Sequence, residues 1–150
     1  NLVSETLPEI SEQMAVNFTA PVLLMQYFAK FARKPGCIIN LLDQAVTRHP
    51  DTDAFGYLIS KKALAEATEC AALAYAPAIR VNGIAPGPVI APPGLEHLNM
   101  EKTLKKVPLN RRVEPEDIAG AALFLAQNRS ITGTILTVDG GQHIQNGERN

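Results

Sequence analysis

Hydrophobic positions recur at helical spacing in three parts of the chain. In the first, apolar residues repeat every three or four positions from Ser11, a residue type suited to capping, up to Lys34. The second, residues 54–75, is rich in alanine, which favours helix. The third, residues 115–127, begins with a proline and two acidic residues, which is typical of a first helical turn. These patterns predict three main helices.

Continuous apolar runs lie between and after these helices, at residues 37–42, 79–84 and 134–138. Runs of this length without polar alternation are typical of strands that are buried on both faces of a parallel sheet. A weaker amphipathic helix is predicted at residues 95–106. The alternation of helices and strands predicts an α/β fold, with residues 1–150 as a single domain. Three strands are few for a parallel sheet, so the predicted sheet looks like part of a larger one.

The composition is that of an ordinary globular domain. Hydrophobic residues make up 46% of the 150 positions, charged residues make up 19%, and the formal net charge is −1. This balance argues against a nucleic-acid-binding protein and against a disordered acidic chain. The apolar runs are too short to cross a membrane. Cys37 and Cys70 both have apolar neighbours, so we expect two reduced core thiols and no disulfide.

Tyr57 and Lys61 stand four positions apart in the second predicted helix, which places them on one helix face. A nearby ammonium group lowers the pKa of a phenol from its usual value of about 10 and prepares it for proton transfer. Such pairs also occur often by chance. Asp43 and the Pro86-Gly87 pair each follow a predicted parallel strand, where open α/β sheets bind ligands. Together these positions form a candidate site.

Four segments carry a resemblance to a known family. They are FGYLISKKAL at 55–64, IRVNGIAPG at 79–87, VPL at 107–109 with EDI at 116–118, and TGT at 132–134 with VDGG at 138–141. In this order and spacing, they resemble the C-terminal part of a short-chain dehydrogenase/reductase. The resemblance covers nearly the whole chain and implies a Rossmann-type doubly wound parallel sheet. It also implies hydride transfer with a nicotinamide cofactor, with NADP(H) favoured over NAD(H).

The resemblance assigns roles to individual residues. Tyr57 matches the acid/base, and Lys61 matches the residue that lowers the tyrosine pKa and holds the nicotinamide ribose. The resemblance further implies cofactor contacts from Pro86, Gly87 and Val89, and a substrate contact from Pro88. Residues 90–106 match the variable substrate lid of the family.

Asn17 matches the helix asparagine whose carbonyl group holds a water in the family's proton relay to the lysine. Pro21 stands four positions later and has no N–H, so the Asn17 carbonyl loses its helical partner. We therefore expect the helix to kink and to leave this acceptor free for water. Alternatively, Pro21 simply bends a surface helix and Asn17 is solvated.

Asp43 departs from the family pattern, which usually has a serine at this position. Aspartate here resembles the pteridine reductases and the dihydromonapterin or dihydrofolate reductases of the same family. A carboxylate suits such substrates because it accepts hydrogen bonds from ring N–H or amino groups. We therefore expect Asp43 to act in catalysis and in substrate binding, with reduction of a pterin or folate C=N bond. The alternative for this residue is a loop aspartate that accepts from nearby backbone amides.

Two other functions remain open. One is a carbonyl reductase or alcohol dehydrogenase that acts on another small substrate. The other is a non-enzymatic protein, a pseudoenzyme or binding fragment, for which Asp43 is the one supporting residue. No metal site is expected, because His49, His97 and His143 have no ligand spacing to each other or to the cysteines.

The remaining expectations concern the wider context of the chain. The resemblance implies a homotetramer or homodimer that acts on a small molecule in the cytoplasm, with no nucleic-acid or membrane partner. No G-x-G-x-x-G turn occurs, so we expect the N-terminal nucleotide-binding half of the fold to be missing from this sequence. The chain opens abruptly at Asn1, and by itself we expect it to be inactive.

Overall fold

The computed structural model describes residues 2–32, 35–47, 54–90 and 104–145. Three parallel strands form one sheet in the order β1-β2-β3, namely β1 (Gly36–Leu41), β2 (Ile79–Pro86) and β3 (Ile135–Val138). Within these described residues the α-helices are α1 (Leu7–Met14), α2 (Ala20–Phe31), α3 (Phe55–Tyr75) and α4 (Pro115–Gln127). The predicted α/β fold with a parallel sheet is confirmed, and α3 and α4 lie within one residue of the predicted bounds.

The central strand β2 alternates between two packed faces. Ile79, Val81 and Ala85 are buried in the core that α3 covers. Arg80 and Asn82 point to the opposite face, because side chains alternate along a strand. There the Arg80 guanidinium donates to three carbonyl groups at and beyond the end of α4, at 2.8, 3.0 and 2.8 Å. Helices therefore cover both faces of the sheet.

The first helix begins earlier than predicted. It starts at Leu7, whereas we expected its beginning near Ser11. The Glu9 carboxylate accepts hydrogen bonds from the Thr6 N–H at 2.7 Å and from the Thr6 hydroxyl at 2.8 Å. Pro8 occupies the first turn. Threonine followed three positions later by glutamate is a known helix-start pattern. The helix therefore begins after Thr6, and Ser11 lies inside it and does not cap it.

A π-helical segment, Ala15–Thr19, separates α1 from α2. The Ala20 N–H donates to the Ala15 carbonyl, five positions before it. Pro21 then occupies the first turn of α2, where its missing N–H is tolerated. The expected disturbance of the helix near Pro21 is therefore present, and it takes the form of a π segment, which often marks a functional site.

The outer edge of β1 and the neighbouring face of α2 carry exposed apolar side chains. Within the described residues β1 pairs only with β2. A groove runs between α2 and this edge, and its apolar lining includes Leu24, Tyr27, Phe28 and Leu41, all of which are exposed. No helix among the described residues is long and apolar enough to cross a membrane.

The two cysteines differ in burial. Both cysteines are free, but only Cys37 is partly buried, and Cys70 lies on the exposed face of α3, so the prediction of two core thiols is wrong for Cys70. The predicted helix at 95–106 and the lid at 90–106 lie largely outside the described residues. The described part of that stretch includes Lys105 and Lys106, which are exposed and form a turn.

Candidate active site

Asp43 and Tyr57 meet at the carboxyl end of β1. The Tyr57 hydroxyl donates a hydrogen bond of 3.0 Å to Asp43 Oδ2. The other carboxylate oxygen, Oδ1, accepts from the Ala45 N–H at 2.8 Å. Asp43 therefore accepts from a nearby backbone amide, as the loop interpretation expected, and its other oxygen bonds the candidate acid/base; its role toward a substrate stays a prediction.

Lys61 lies one helical turn after Tyr57, on the same side of α3. Its ammonium group donates to the Leu41 carbonyl at 3.0 Å, at the last residue of β1, and lies 5.7 Å from the centroid of the Tyr57 ring. Burial lowers the pKa of Lys61, and the negative charge of Asp43 partly opposes this effect. Tyr57, Lys61 and Asp43 thus form one cluster, as the sequence predicted.

The pKa of Tyr57 moves in the direction opposite to the one expected. Burial raises it most, and the charge of Asp43 and the hydrogen bond to Asp43 raise it further. Lys61 does not reverse the shift, because its ammonium group bonds to a backbone carbonyl and not to the phenol. In the protein by itself the pKa of Tyr57 is therefore raised and not lowered, and Tyr57 is a protonated hydrogen-bond donor; that Lys61 lowers this pKa stays a prediction.

The start of α3 is held by a residue that the sequence analysis missed. Ala54, before the helix, has a left-handed backbone with φ of 51°, and no side chain within the helix caps it. Instead, the Glu5 carboxylate accepts from the Gly56 N–H at 2.6 Å. A Cβ on Gly56 would come within 3.2 Å of the Ile10 Cα, so glycine lets α1 pack closely here. No sequence signal connects Glu5 with a helix 51 positions away.

Asn17 lies in the π segment and lines the same groove as Lys61. Its side-chain amide donates to Gln13 Oε1 at 2.9 Å, so its side chain is not simply solvated. The fold therefore brings Asn17 to the side of the site on which Lys61 lies. That the Asn17 carbonyl holds a water stays a prediction.

Pro86 is the last residue of β2, and Gly87, Pro88 and Val89 form the loop that follows it at the carboxyl end of the sheet. The Gly87 N–H donates to the Val138 carbonyl at 2.9 Å, and the Pro88 carbonyl accepts from the N–H of residue 113 at 3.1 Å. A Cβ on Gly87 would stand 2.7 Å from the Asp139 Cα, so only glycine fits this approach. The loop is thus held in place next to β3.

These residues fit a nicotinamide ribose. Lys61 offers an ammonium group and Tyr57 offers a hydroxyl from one helix face, and the Gly87 loop brings backbone to the same end of the sheet. Among the described residues no group of three histidine, cysteine, aspartate or glutamate side chains could hold a metal ion. His49 and His97 lie outside the described residues.

Asp139, directly after β3, organises a second loop at this end of the sheet. It is 2% exposed, and its carboxylate accepts from the N–H groups of Gly141 at 2.9 Å and His143 at 2.6 Å. The His143 ring nitrogen Nδ1 lies 2.8 Å from Asp139 Oδ2. The VDGG segment was visible in the sequence, but the partners of its aspartate were not.

Comparison with known proteins relates this site to enzymes of similar sequence. Residues 1–143 match a family model described as enoyl-(acyl carrier protein) reductase. The chain is 37% identical to galactitol 2-dehydrogenase (L-tagatose-forming) of Cereibacter sphaeroides over 87% of its length, and 35% identical to pteridine reductase 1 of Leishmania tarentolae over 85%. It spans 56% and 48% of those proteins, respectively, or about half of their length.

A solved structure agrees closely with this fold. The NADP complex of FolM alternative dihydrofolate reductase 1 from Brucella suis aligns with a TM-score of 0.90 at 34% identity, covering 98% of this chain and 60% of that one. The sequence and structure matches both extend over most of the chain, and they agree with the segments that first suggested the resemblance. The chain belongs to the short-chain dehydrogenase/reductase family.

Proposed function

We propose that this chain carries the catalytic part of a cytoplasmic NADPH-dependent reductase that acts on the C=N bond of a pterin or folate. The observation that carries the proposal is the 3.0 Å hydrogen bond from the Tyr57 hydroxyl to Asp43, with Lys61 beside it. Likeness to a pteridine reductase and to an NADP-bound dihydrofolate reductase supports it.

Tyr57 keeps its proton at neutral pH and donates a hydrogen bond to Asp43, so it has a proton to give. Because burial and Asp43 raise its pKa, the phenol is a weaker acid than a free tyrosine, and proton transfer needs a bound substrate or cofactor that stabilises the phenolate. Tyr57 gives this proton to a ring nitrogen, either alone or together with Asp43. Asp43 also accepts hydrogen bonds from ring N–H or amino groups of the substrate. A water held by the Asn17 carbonyl supplies a proton that passes through Lys61 back to Tyr57, in the groove that Asn17 and Lys61 both line.

The cofactor contacts follow the positions described above. Tyr57 and Lys61 hold the nicotinamide ribose, while Pro86, Gly87 and Val89 pack on the nicotinamide. When bound, the reduced nicotinamide supplies the hydride. NADP(H) is favoured over NAD(H), in line with the NADP complex of the Brucella protein. Pro88 contacts the substrate.

The test is an assay of the complete protein with NADPH and 7,8-dihydrobiopterin or dihydrofolate. The Tyr57→Phe variant keeps the ring but removes the proton, so we expect the rate to fall about a hundredfold or more while NADPH still binds. Tyr75→Phe, at the other end of α3, is the matched control and retains activity. An active Tyr57→Phe variant would remove Tyr57 from the mechanism.

A carbonyl reductase or alcohol dehydrogenase is the second candidate, and the 37% identity to galactitol 2-dehydrogenase favours it. The same protein assayed with ketones and polyols separates the two functions. Turnover of these substrates without any turnover of dihydrobiopterin or dihydrofolate rejects the pterin proposal.

A pseudoenzyme is the candidate from a different class. Titration of the complete protein with NADPH, followed by nicotinamide fluorescence, distinguishes it, because a protein that has lost the site gives no saturable change. The 150-residue chain in the same assays tests whether it is inactive by itself, as we propose.

We also propose that the protein forms a homodimer or homotetramer through α2 and α3. The exposed apolar residues of these helices include Leu23, Phe31 and Leu73. Sedimentation measures the size of the assembly.

A further inference from the structure

Tyr57 lies in the first turn of α3, and the entry into this turn is strained. Ala54, directly before the helix, has a φ of 51°, a left-handed backbone that residues other than glycine rarely adopt. Such a conformation persists only where surrounding contacts hold it. The Leu58 N–H donates to the Ala54 carbonyl at 2.9 Å, and the N–H groups before it belong to the helix end, which has no partners within the helix. The position of this turn therefore depends on contacts from outside α3.

Two such contacts come from α1 and the residue two positions before it, and both converge on Gly56. Glu5 Oε2 accepts a hydrogen bond from the Gly56 N–H at 2.6 Å. A Cβ on Gly56 would meet the Ile10 Cα at 3.2 Å, so the backbone of α1 lies directly against this residue. Gly56 is buried and immediately precedes Tyr57 in the chain. The turn that carries Tyr57 is thus held from the side of α1.

The backbone next to Glu5 is itself fixed by the start of α1. The Thr6 N–H donates to Glu9 Oε2 at 2.7 Å, and the Thr6 carbonyl accepts from the Ile10 N–H at 3.1 Å. After Met14 the helix continues directly into the π segment that contains Asn17, and this segment also contacts α3. Glu5 therefore belongs to an ordered element, and its contact with α3 is not that of a loose terminal side chain.

We propose that Glu5 is a positioning residue that fixes the first turn of α3, so that the Tyr57 hydroxyl reaches Asp43. The hydroxyl lies 3.0 Å from Asp43 Oδ2, whereas Lys61, one turn later, is held separately by a carbonyl group of β1. Without Glu5 the first turn loosens, and the phenol moves relative to Asp43 and to a bound substrate. A misplacement of about 1 Å costs up to about a hundredfold in rate. This inference rests on the proposed role of Tyr57 as proton donor, and it holds for a pterin and for a ketone alike.

The test titrates Tyr57 in the complete protein with Glu5→Ala, by the ultraviolet absorbance of tyrosinate. Burial and Asp43 both raise the pKa of Tyr57, so a loosened turn lowers it, by at least about half a unit. Subtracting the curve of the Glu5→Ala, Tyr57→Phe double variant isolates the residue. With NADPH and 7,8-dihydrobiopterin, kcat should fall at least about tenfold.

Two further variants separate positioning from a change in charge. Glu5→Gln removes the charge but keeps an oxygen that accepts from the Gly56 N–H, so it should restore the Tyr57 pKa and most of the rate. Glu12→Ala removes the same charge from an exposed position of α1. It is the matched control and should change neither the pKa of Tyr57 nor kcat.

A purely structural cap predicts a different result. A lower thermal midpoint in Glu5→Ala with an unchanged Tyr57 pKa would overturn the inference, and so would a Glu5→Gln variant that behaves like Glu5→Ala. If Glu5→Ala does not fold, Gly56→Ala decides, because its Cβ presses on α1 while alanine favours the helix, and an unchanged Tyr57 pKa there overturns the inference. If the unaltered protein does not reduce dihydrobiopterin, the proposed function fails, whereas the titration still decides the role of Glu5.

Discussion

The charge of Asp43 adds to the effect of burial in raising the pKa of Tyr57, and Asp43→Asn tests this contribution directly. The substitution removes the negative charge but keeps a carbonyl oxygen that can accept the 3.0 Å hydrogen bond from the Tyr57 hydroxyl. A negative charge disfavours the phenolate, so its removal lowers the pKa of Tyr57.

The distance sets a lower limit on this change. At 3.0 Å, a full charge in the dielectric of bulk water contributes about 1.4 kcal/mol, which equals about one pKa unit. Bulk water gives the smallest value, and it is the safe choice because Tyr57 is only partly buried. We therefore expect the pKa of Tyr57 to fall by at least about one unit.

Ultraviolet absorbance of tyrosinate during a pH titration measures the effect. The protein has three tyrosines, so subtracting the curve of the Tyr57→Phe variant isolates the residue. Asp117→Asn, on the exposed side of α4, controls for a general change in net charge. A Tyr57 pKa that does not move in Asp43→Asn, or that moves equally in Asp117→Asn, would refute this account of the site.

Three further substitutions test the scaffold. Glu5→Ala removes the acceptor at the start of α3 and should lower the free energy of unfolding by about 1 kcal/mol in urea; no change contradicts the capping role. Gly87→Ala brings a Cβ within 2.7 Å of the Asp139 backbone and should lower the free energy of unfolding by about 1–3 kcal/mol. Gly120→Ala, whose Cβ meets open space, should not destabilise the protein, and equal effects of the two substitutions would contradict the close approach at Gly87. Arg80→Met leaves three carbonyl groups without their donor and should lower the free energy of unfolding, measured by thermal unfolding, by at least about 2 kcal/mol. A smaller decrease would show that these three hydrogen bonds do not stabilise the contact between β2 and the end of α4.

Sequence patterns predicted those parts of the fold that depend on nearby residues. The 21-residue helix α3 starts one residue from its expected position, and β1 and β2 lie where the apolar runs predicted them. The start of α1 was placed four residues too late although it also has a local signal, since Thr6 and Glu9 have the spacing of a helix start. This signal lies within four consecutive residues, so it can be read from the sequence alone.

In the candidate site, too, local patterns predict which residues come together but not which atoms bond. The helical repeat alone dictates that Tyr57 and Lys61 share a face of α3, and the parallel strands alone direct Asp43 and Gly87 to the same end of the sheet. Which atoms bond to each other depends on loops and on contacts between distant segments. Residue type and spacing therefore predicted the members of the site but not its hydrogen bonds.

The amino-acid pattern is enough to predict the class of fold and the grouping of Tyr57, Lys61 and Asp43, because helix period, strand length and motif order are local properties. The folded chain adds the hydrogen bond from Tyr57 to Asp43, the raised pKa of Tyr57, and the contact of Glu5 with the start of α3. These depend on burial and on charges separated by 14 and 51 positions in the chain. Burial and through-space electrostatics act between neighbours in space, and folding creates those neighbours.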